Sequence, residues 1–421
     1  MHKIVEAVQK IENGKVDQGL AQLAELENTS NHETKFELAE TYYSLGHLEK
    51  AKQMVDDLML LYPDEGELYT FSAELLIDLD QEDEAIEMLL EIKEDDPAYL
   101  RALLLLADLY QMQGLDEVSE QKLLMAVEKA PDEPIVSYGL GDFYLARGDF
   151  QKSLPHLKKA YYAKVKLDGM NIALRLAEAY SGTGEYEEAL KLYAEGLDQQ
   201  LDIHALFNYG YTAFQIEQYE LAIEQFNTLK ELDPEFSSVY PYLAKCYEAL
   251  HRFDDALKVI KEGLNVDQFN EELYVHGGKL SFKMNNSNQG EAYLREVIAI
   301  NPSHFEAVRT LAAFLKHENR YDDLIDLIEH LKDIGEGDPV LTWYEALARY
   351  ESDEMDKAKE CFDAVKVDFG EDADFLEEYG KFLMENGERI ESLRVLKQVI
   401  TIDDTRLHIK ELINYLEEDL Q

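Results

Sequence analysis

The sequence predicts an all-α solenoid of about twelve helix-turn-helix repeats, on three observations. Twelve small residues recur along the 421-residue chain: Ala7, Ala39, Ala73, Ala107, Gly141, Ala177, Gly210, Ala244, Gly278, Ala312, Ala346 and Gly380. Eight of the eleven intervals between them are 34 residues, and the others are 32, 36 and 33. Within the intervals apolar residues fall at i, i+3, i+4 and i+7, the stripe of an amphipathic helix, and a turn-forming residue splits most intervals in two. Self-similarity at this period means stacked units, each too small to bury its own apolar face. Residues 1–405 therefore read as one continuous solenoid, with repeats starting near residues 1, 32, 66, 100, 134, 170, 203, 237, 271, 305, 339 and 373. Residues 406–421 read as a capping helix.

In chain order, the first two repeats show the parts: Ala7, the turn at Gly14 and then Gly19, followed by Ala39, Gly46, Ala51 and Pro63. Residues 100–133 show the stripe most fully. Leu103, Leu106, Ala107 and Tyr110 make the first helix, Gly114 breaks it, Leu123, Ala126 and Val127 face inward from the second, and Pro131 ends it. The turn position is held elsewhere by Gly148, Gly184 and Gly387, or by Asp80, Asn285, Asn319 and Asp353, residue types that tolerate a left-handed backbone. Pro63, Pro97, Pro131, Pro234 and Pro302 close second helices. The position facing the small residue is itself mostly small, with Leu324 the exception. Val165, the extra Asp168-Gly169 and Pro155 inside a second helix suggest a change of pitch after the fifth repeat, and the units across residues 305–370 diverge. The last helix sets Ile409, Leu412, Ile413, Leu416 and Leu420 on one face.

Segments such as LAETYYSLGHLEKA, LAEAYSGTGEYEEAL and LAKCYEALHRFDDAL resemble the tetratricopeptide repeat (TPR), in which a large residue, Leu, a small residue and Tyr in the first helix precede Ala, an aromatic and Ala in the second. The resemblance covers essentially the whole chain and implies a right-handed α-α superhelix. The purely repetitive organisation is also similar to the YpiA-like group of TPR proteins from bacilli. The family implies protein or peptide binding on the first-helix side, through the residue after each small position and its neighbours one turn away.

Read in that register, the ninth residues of five successive repeats are Glu40, Glu74, Asp108, Asp142 and Glu178. Such a column would attract a Lys- or Arg-rich segment, although Glu after Leu-Ala is also simply a good exposed helix former. Phe207, Tyr211 and Phe214 follow as an exposed aromatic row, then Lys245, Lys279, Lys283, Arg309, Lys316 and His317 as a basic stretch, then Trp343 and Tyr350. The adaptor that grips chaperone-tail carboxylates needs Lys and Asn at fixed offsets, and only Asn208 fits.

Composition narrows the function. With 40 Lys and Arg against 88 Asp and Glu, the net charge is −48, which repels phosphate backbones and anionic lipid surfaces alike. Cys246 and Cys361 form no disulfide framework and read as buried packing residues. No HExxH helix, Cys cluster or nucleophile with a base appears, so neither metal nor other cofactor nor enzyme activity is expected. The N-terminus enters an amphipathic pattern at once and no apolar run is long enough for a bilayer, as in a cytoplasmic protein. The expected function is a non-enzymatic scaffold binding a protein or peptide segment, preferably basic, as a monomer or weak dimer. The alternative is a peptide-responsive regulatory or chaperone-like protein.

Overall fold

The structure is a computed structural model that describes residues 2–27, 31–164, 170–335 and 337–420. The chain divides into two compact units, Met1–Ile216 and Glu217–Gln421. Val165, Asp168 and Gly169 lie outside the described residues.

In the first unit, α1 (His2–Glu12) pairs with α2 (Val16–Glu27), and α3 (His32–Ser44) with α4 (Leu48–Leu61). The pattern continues with α5 (Gly66–Asp78) and α6 (Glu82–Leu90), then α7 (Tyr99–Met112) and α8 (Asp116–Lys129). Next come α9 (Pro134–Ala146) with α10 (Phe150–Tyr162) and α11 (Ile172–Gly182) with α12 (Tyr186–Gln199), against which α13 (Ile203–Gln215) packs. The second unit opens with α14 (Tyr219–Leu232) on α15 (Val239–Ala249), which pairs with α16 (Phe253–Val266). It continues through α17 (Glu271–Lys283) with α18 (Ser287–Ile300) and α19 (Phe305–His317) with α20 (Tyr321–Asp333). The last pairs are α21 (Pro339–Glu351) with α22 (Met355–Val365) and α23 (Ala373–Glu385) with α24 (Arg389–Ile402), on which α25 (Leu407–Asp419) rests.

All twelve residues of the small-residue series are buried. A Cβ on Gly141 would lie 2.9 Å from the Leu157 side chain and 3.0 Å from its backbone nitrogen, and one on Gly380 would lie 2.5 Å from Leu396. Larger side chains there would force the two helices of a hairpin apart, which costs about 1–3 kcal/mol in a packed core. At two of the four glycines of the series a serine opposite reaches the freed carbonyl: Ser153 Oγ donates to Gly141 O and Ser392 Oγ to Gly380 O, each at 2.7 Å. Ser119, opposite Ala107, has a buried hydroxyl without a partner. Leu324 breaks the small-on-small rule while fully buried, and α19 and α20 approach each other less closely than the paired helices of the other hairpins in their unit. This is the irregularity that the divergent sequence across 305–370 suggested.

The turns follow residue type. All ten turn residues named from the sequence have positive φ, from 55° at Asn319 to 84° at Gly387. Each lets the next amide fold back on the helix just ended, as when Leu115 N donates to Tyr110 O at 2.8 Å. Glu217 and His251 adopt the same conformation although neither type favours it. Pro155 lies inside an uninterrupted α10, and α6 ends at Leu90, well before Pro97.

Two expectations are corrected. Cys246 is buried, but Cys361 is only half-buried, packed against the core of the last hairpins with the Glu345 side chain nearby. On α25 the buried residues are Ile409 and Leu416, while Leu420 stands just past the helix and is exposed.

Within each unit the first helices of successive hairpins also meet: α9 with α11 and α11 with α13, then α15 with α17 and α17 with α19. Successive second helices make no comparable approach among the described residues. The first helices thus line the tighter side of each unit.

Candidate functional site

One residue beyond a buried small position, a helix has turned about 100°, so the side chain leaves the hairpin contact and enters the surface beside it. Helices α3, α5, α7, α9 and α11 place Glu40, Glu74, Asp108, Asp142 and Glu178 there; Glu40 and Asp108 are exposed and the other three half-buried. Two guanidinium groups answer them. Arg101 on α7 pairs with Glu74, and Arg175 on α11 lies 3.2 Å from Asp142 and 3.7 Å from Glu178.

Among the described residues these five carboxylates pair with two cations, which leaves the row short of positive charge, and the proton affinities register it. Asp108 keeps contact with solvent, yet enough protein surrounds it that desolvation, followed by repulsion from Asp142, raises its pKa to about 6. Desolvation also raises Asp142 and Glu178, with Arg175 working against it in both. Glu40 is raised by desolvation first, then by Glu67 and Glu37. At its Glu178 end the row meets two adjoining cavities of about 370 and 290 Å³.

The aromatic row beyond it is half-buried, which corrects the expectation of an exposed wall. Phe207 and Tyr211 stack on each other at 6.3 Å, one turn apart on α13, and Phe214 follows them. In the second unit Trp343 is also half-buried: its Nε1 donates to Glu378 at 2.7 Å and its ring meets Phe369 at 5.1 Å. Tyr350 meets Phe382 edge-on at 5.6 Å.

The basic stretch of the second unit is not a free cationic surface. Lys245 pairs with Glu272 at 2.6 Å, Lys279 with Glu306, Lys283 with Glu248 at 3.1 Å, and Arg309 with the buried Asp338. Lys316 pairs with Glu378 at 3.1 Å and lies over the Trp343 ring at 4.9 Å, while His317 is 3.2 Å from Glu318. Sequence reading along one stripe missed the reason. The ninth residue of one repeat meets the second residue of the next, 27 residues on, in Glu74–Arg101, Lys245–Glu272 and Lys279–Glu306. Opposite charges at that spacing were a signal available in the sequence.

Among the described residues no His, Cys, Asp and Glu group could hold a metal ion, and no helix is long and apolar enough to cross a membrane. Tandem helical hairpins joined by small residues, with variable side chains carried on the first helices, define a tetratricopeptide repeat protein. A model of general tetratricopeptide repeats matches residues 174–236. Models of YpiA-like tetratricopeptide repeats and of their C-terminal repeats match residues 111–170 and 339–404. The chain is 41% identical over 416 residues to the TPR repeat-containing protein YpiA of Bacillus subtilis (strain 168), covering 99% of this chain and 98% of that protein. It therefore belongs to the YpiA-like family. It is also 25% identical over 224 residues to anaphase-promoting complex subunit CDC16 of Saccharomyces cerevisiae, covering 51% of this chain and 26% of that one. Among solved structures, YrrB, described as a TPR protein with an unusual peptide-binding site, aligns with a TM-score of 0.39 and 16% identity over 45% of this chain and 96% of its own. Pseudomonas aeruginosa pilF aligns with a TM-score of 0.41 and 16% identity over 51% and 97%.

Proposed function

We propose that this protein is a non-enzymatic interaction scaffold that binds a basic segment of a partner protein along the first helices of its N-terminal unit. The observation that carries the reading is the under-neutralised row: among the described residues, Glu40, Glu74, Asp108, Asp142 and Glu178 have only Arg101 and Arg175 as ion-pair partners. A row short of cations, on the tighter side of the unit, recruits cations from a partner, because charge complementarity speeds encounter and sets register. Phe207, Tyr211 and Phe214 extend it with apolar contact area. The second unit contributes differently. Its cations Lys245, Lys279, Lys283 and Arg309 are spent on internal pairs, so Trp343 and Tyr350 supply contact there while the charges hold repeats in register. A net charge of −48 supports a protein partner over nucleic acid or an anionic membrane, and a soluble cytoplasmic monomer or weak dimer.

Affinity purification from the native cell, run with the natural chain and with Glu74→Gln, Asp108→Asn and Asp142→Asn combined, tests this. Charge-removing changes are preferred to charge reversal because a lysine in place of Glu74 would face Arg101. Partners with Lys- or Arg-rich segments are expected to be lost from the triple variant. Identical recovery of every partner by both would overturn the proposal.

A further inference from the structure

The two cavities at the Glu178 end share three wall residues, Glu178, Tyr193 and Asn208. Tyr193, on the second helix α12, is 1% exposed, and its hydroxyl is buried without a hydrogen-bond partner. The Asn208 side chain lies beside that hydroxyl without completing a bond of good geometry. A buried hydroxyl normally finds a partner, and one left open at the wall of a cavity marks a place where a ligand supplies it.

The surroundings specify the ligand. Asp202 reinforces Glu178, while the one nearby guanidinium, Arg175, is already divided between Glu178 and Asp142 and packed beside Tyr138. The shared wall is thus anionic and rich in acceptors: the Glu178 carboxylate, the Asn208 amide oxygen and the Tyr193 oxygen. The smaller cavity is walled on its other side by Phe150, Tyr186 and Tyr211, all half-buried. Phe150 fits close because Gly182 has no side chain; a Cβ there would fall 2.3 Å from its ring. Aromatic faces around a carboxylate suit a flat, weakly hydrated cation with several donors.

We propose that this double cavity is a subsite for one arginine side chain of the bound segment. The guanidinium donates to Glu178, Asn208 and Tyr193, its stem lies along Phe150, Tyr186 and Tyr211, and the flanking backbone crosses the larger cavity. The subsite rests on the basic-segment reading above and adds to it a fixed position and a preference for arginine over lysine, whose ammonium cannot reach three acceptors from one plane.

Fluorescence anisotropy tests it with fluorescein-labelled peptides of four Arg-Ser-Gly units, their Lys and citrulline counterparts, and the full-length chain at about 0.15 M salt. The variants are Glu178→Gln, Tyr193→Phe and Glu74→Gln. The Arg peptide is expected to bind about tenfold more tightly than the Lys peptide, and the citrulline peptide not at all. Glu178→Gln should cost about tenfold, Tyr193→Phe about threefold with erosion of the Arg preference, and Glu74→Gln, which removes the same charge, less than either. Circular dichroism of each variant separates these losses from unfolding, and Tyr193→Phe keeps the ring that packs. Equal losses for Glu178→Gln and Glu74→Gln, or equal binding of Arg and Lys peptides, would overturn the subsite while leaving the acidic row as a binding surface. Failure of the natural chain to bind either basic peptide would overturn both.

Discussion

Asp108 shows what one residue's surroundings do to a nominally ordinary carboxylate. The sequence offers an Asp after Leu-Ala, a plausible surface residue, and the fold sets it among protein mass and near Asp142, which lifts its pKa to about 6. The folded state therefore holds that proton more tightly than the unfolded chain, where an Asp titrates near 3.8. Its contribution to stability is fully present below about pH 3.8 and is lost as pH rises through about 6. Asp108→Asn removes this dependence. The melting-temperature difference between variant and natural chain should be small near pH 4 and grow in the variant's favour up to about pH 7, which a thermal-unfolding series will show. A difference independent of pH would mean that Asp108 is as well solvated as any surface carboxylate. Binding of a basic segment should take up the opposite sense, weakening as pH falls below about 6, since protonated Asp108 no longer attracts it.

At the scale of the element, helix α21 departs furthest from its counterparts. Positions that hold Leu106 and Tyr110 in α7 hold Glu345 and Arg349 here, 3% and 5% exposed. Arg349 reaches Glu345 at 3.3 Å, Glu354 at 2.7 Å and Glu329, while Lys332 pairs with Glu345 and Lys357 with Glu354 at 3.0 Å. Three carboxylates meet three cations, so charge closes within the cluster, although the Arg349 Nε is left without a partner. Removing one member strands a buried charge, whereas replacing the pair by apolar residues does not. Arg349→Met should cost about 3–5 kcal/mol in urea unfolding, and adding Glu345→Leu should recover most of it. If the double variant were no more stable than the single one, the pair would be needed for more than its own charge balance.

For the molecule as a whole, the dominant quantity is a net charge of −48. Internal pairing at 27-residue spacing relieves it in places, but most carboxylates remain on the surface and repel one another, which opposes the compact state. Screening falls to a Debye length of about 8 Å at 0.15 M salt, so raising sodium chloride from about 0.01 M to 0.15 M should raise the melting temperature while weakening the capture of basic peptides. A melting temperature that fell with salt would show that favourable pairs outweigh the repulsion.

The repeat register, the hairpin contacts and the ten left-handed turns were legible in the sequence. They depend on short-range sterics, namely a missing or minimal Cβ at Gly141 or Ala177 and a residue able to turn at Gly114 or Asn285, and such requirements recur with the period. The left-handed Glu217 and His251 were not legible, since neither is one of the Gly, Asn or Asp residues that mark the other turns. Nor was the neutral character of the predicted basic stretch, the half-burial of Phe207 and Cys361, or the open hydroxyl of Tyr193. The sequence alone thus determined an array of helical hairpins and the column of side chains it displays. Which charges remain unanswered, and where the surface opens into a cavity, only the tertiary structure decided, because ionisation and hollow space depend on groups that different repeats bring together.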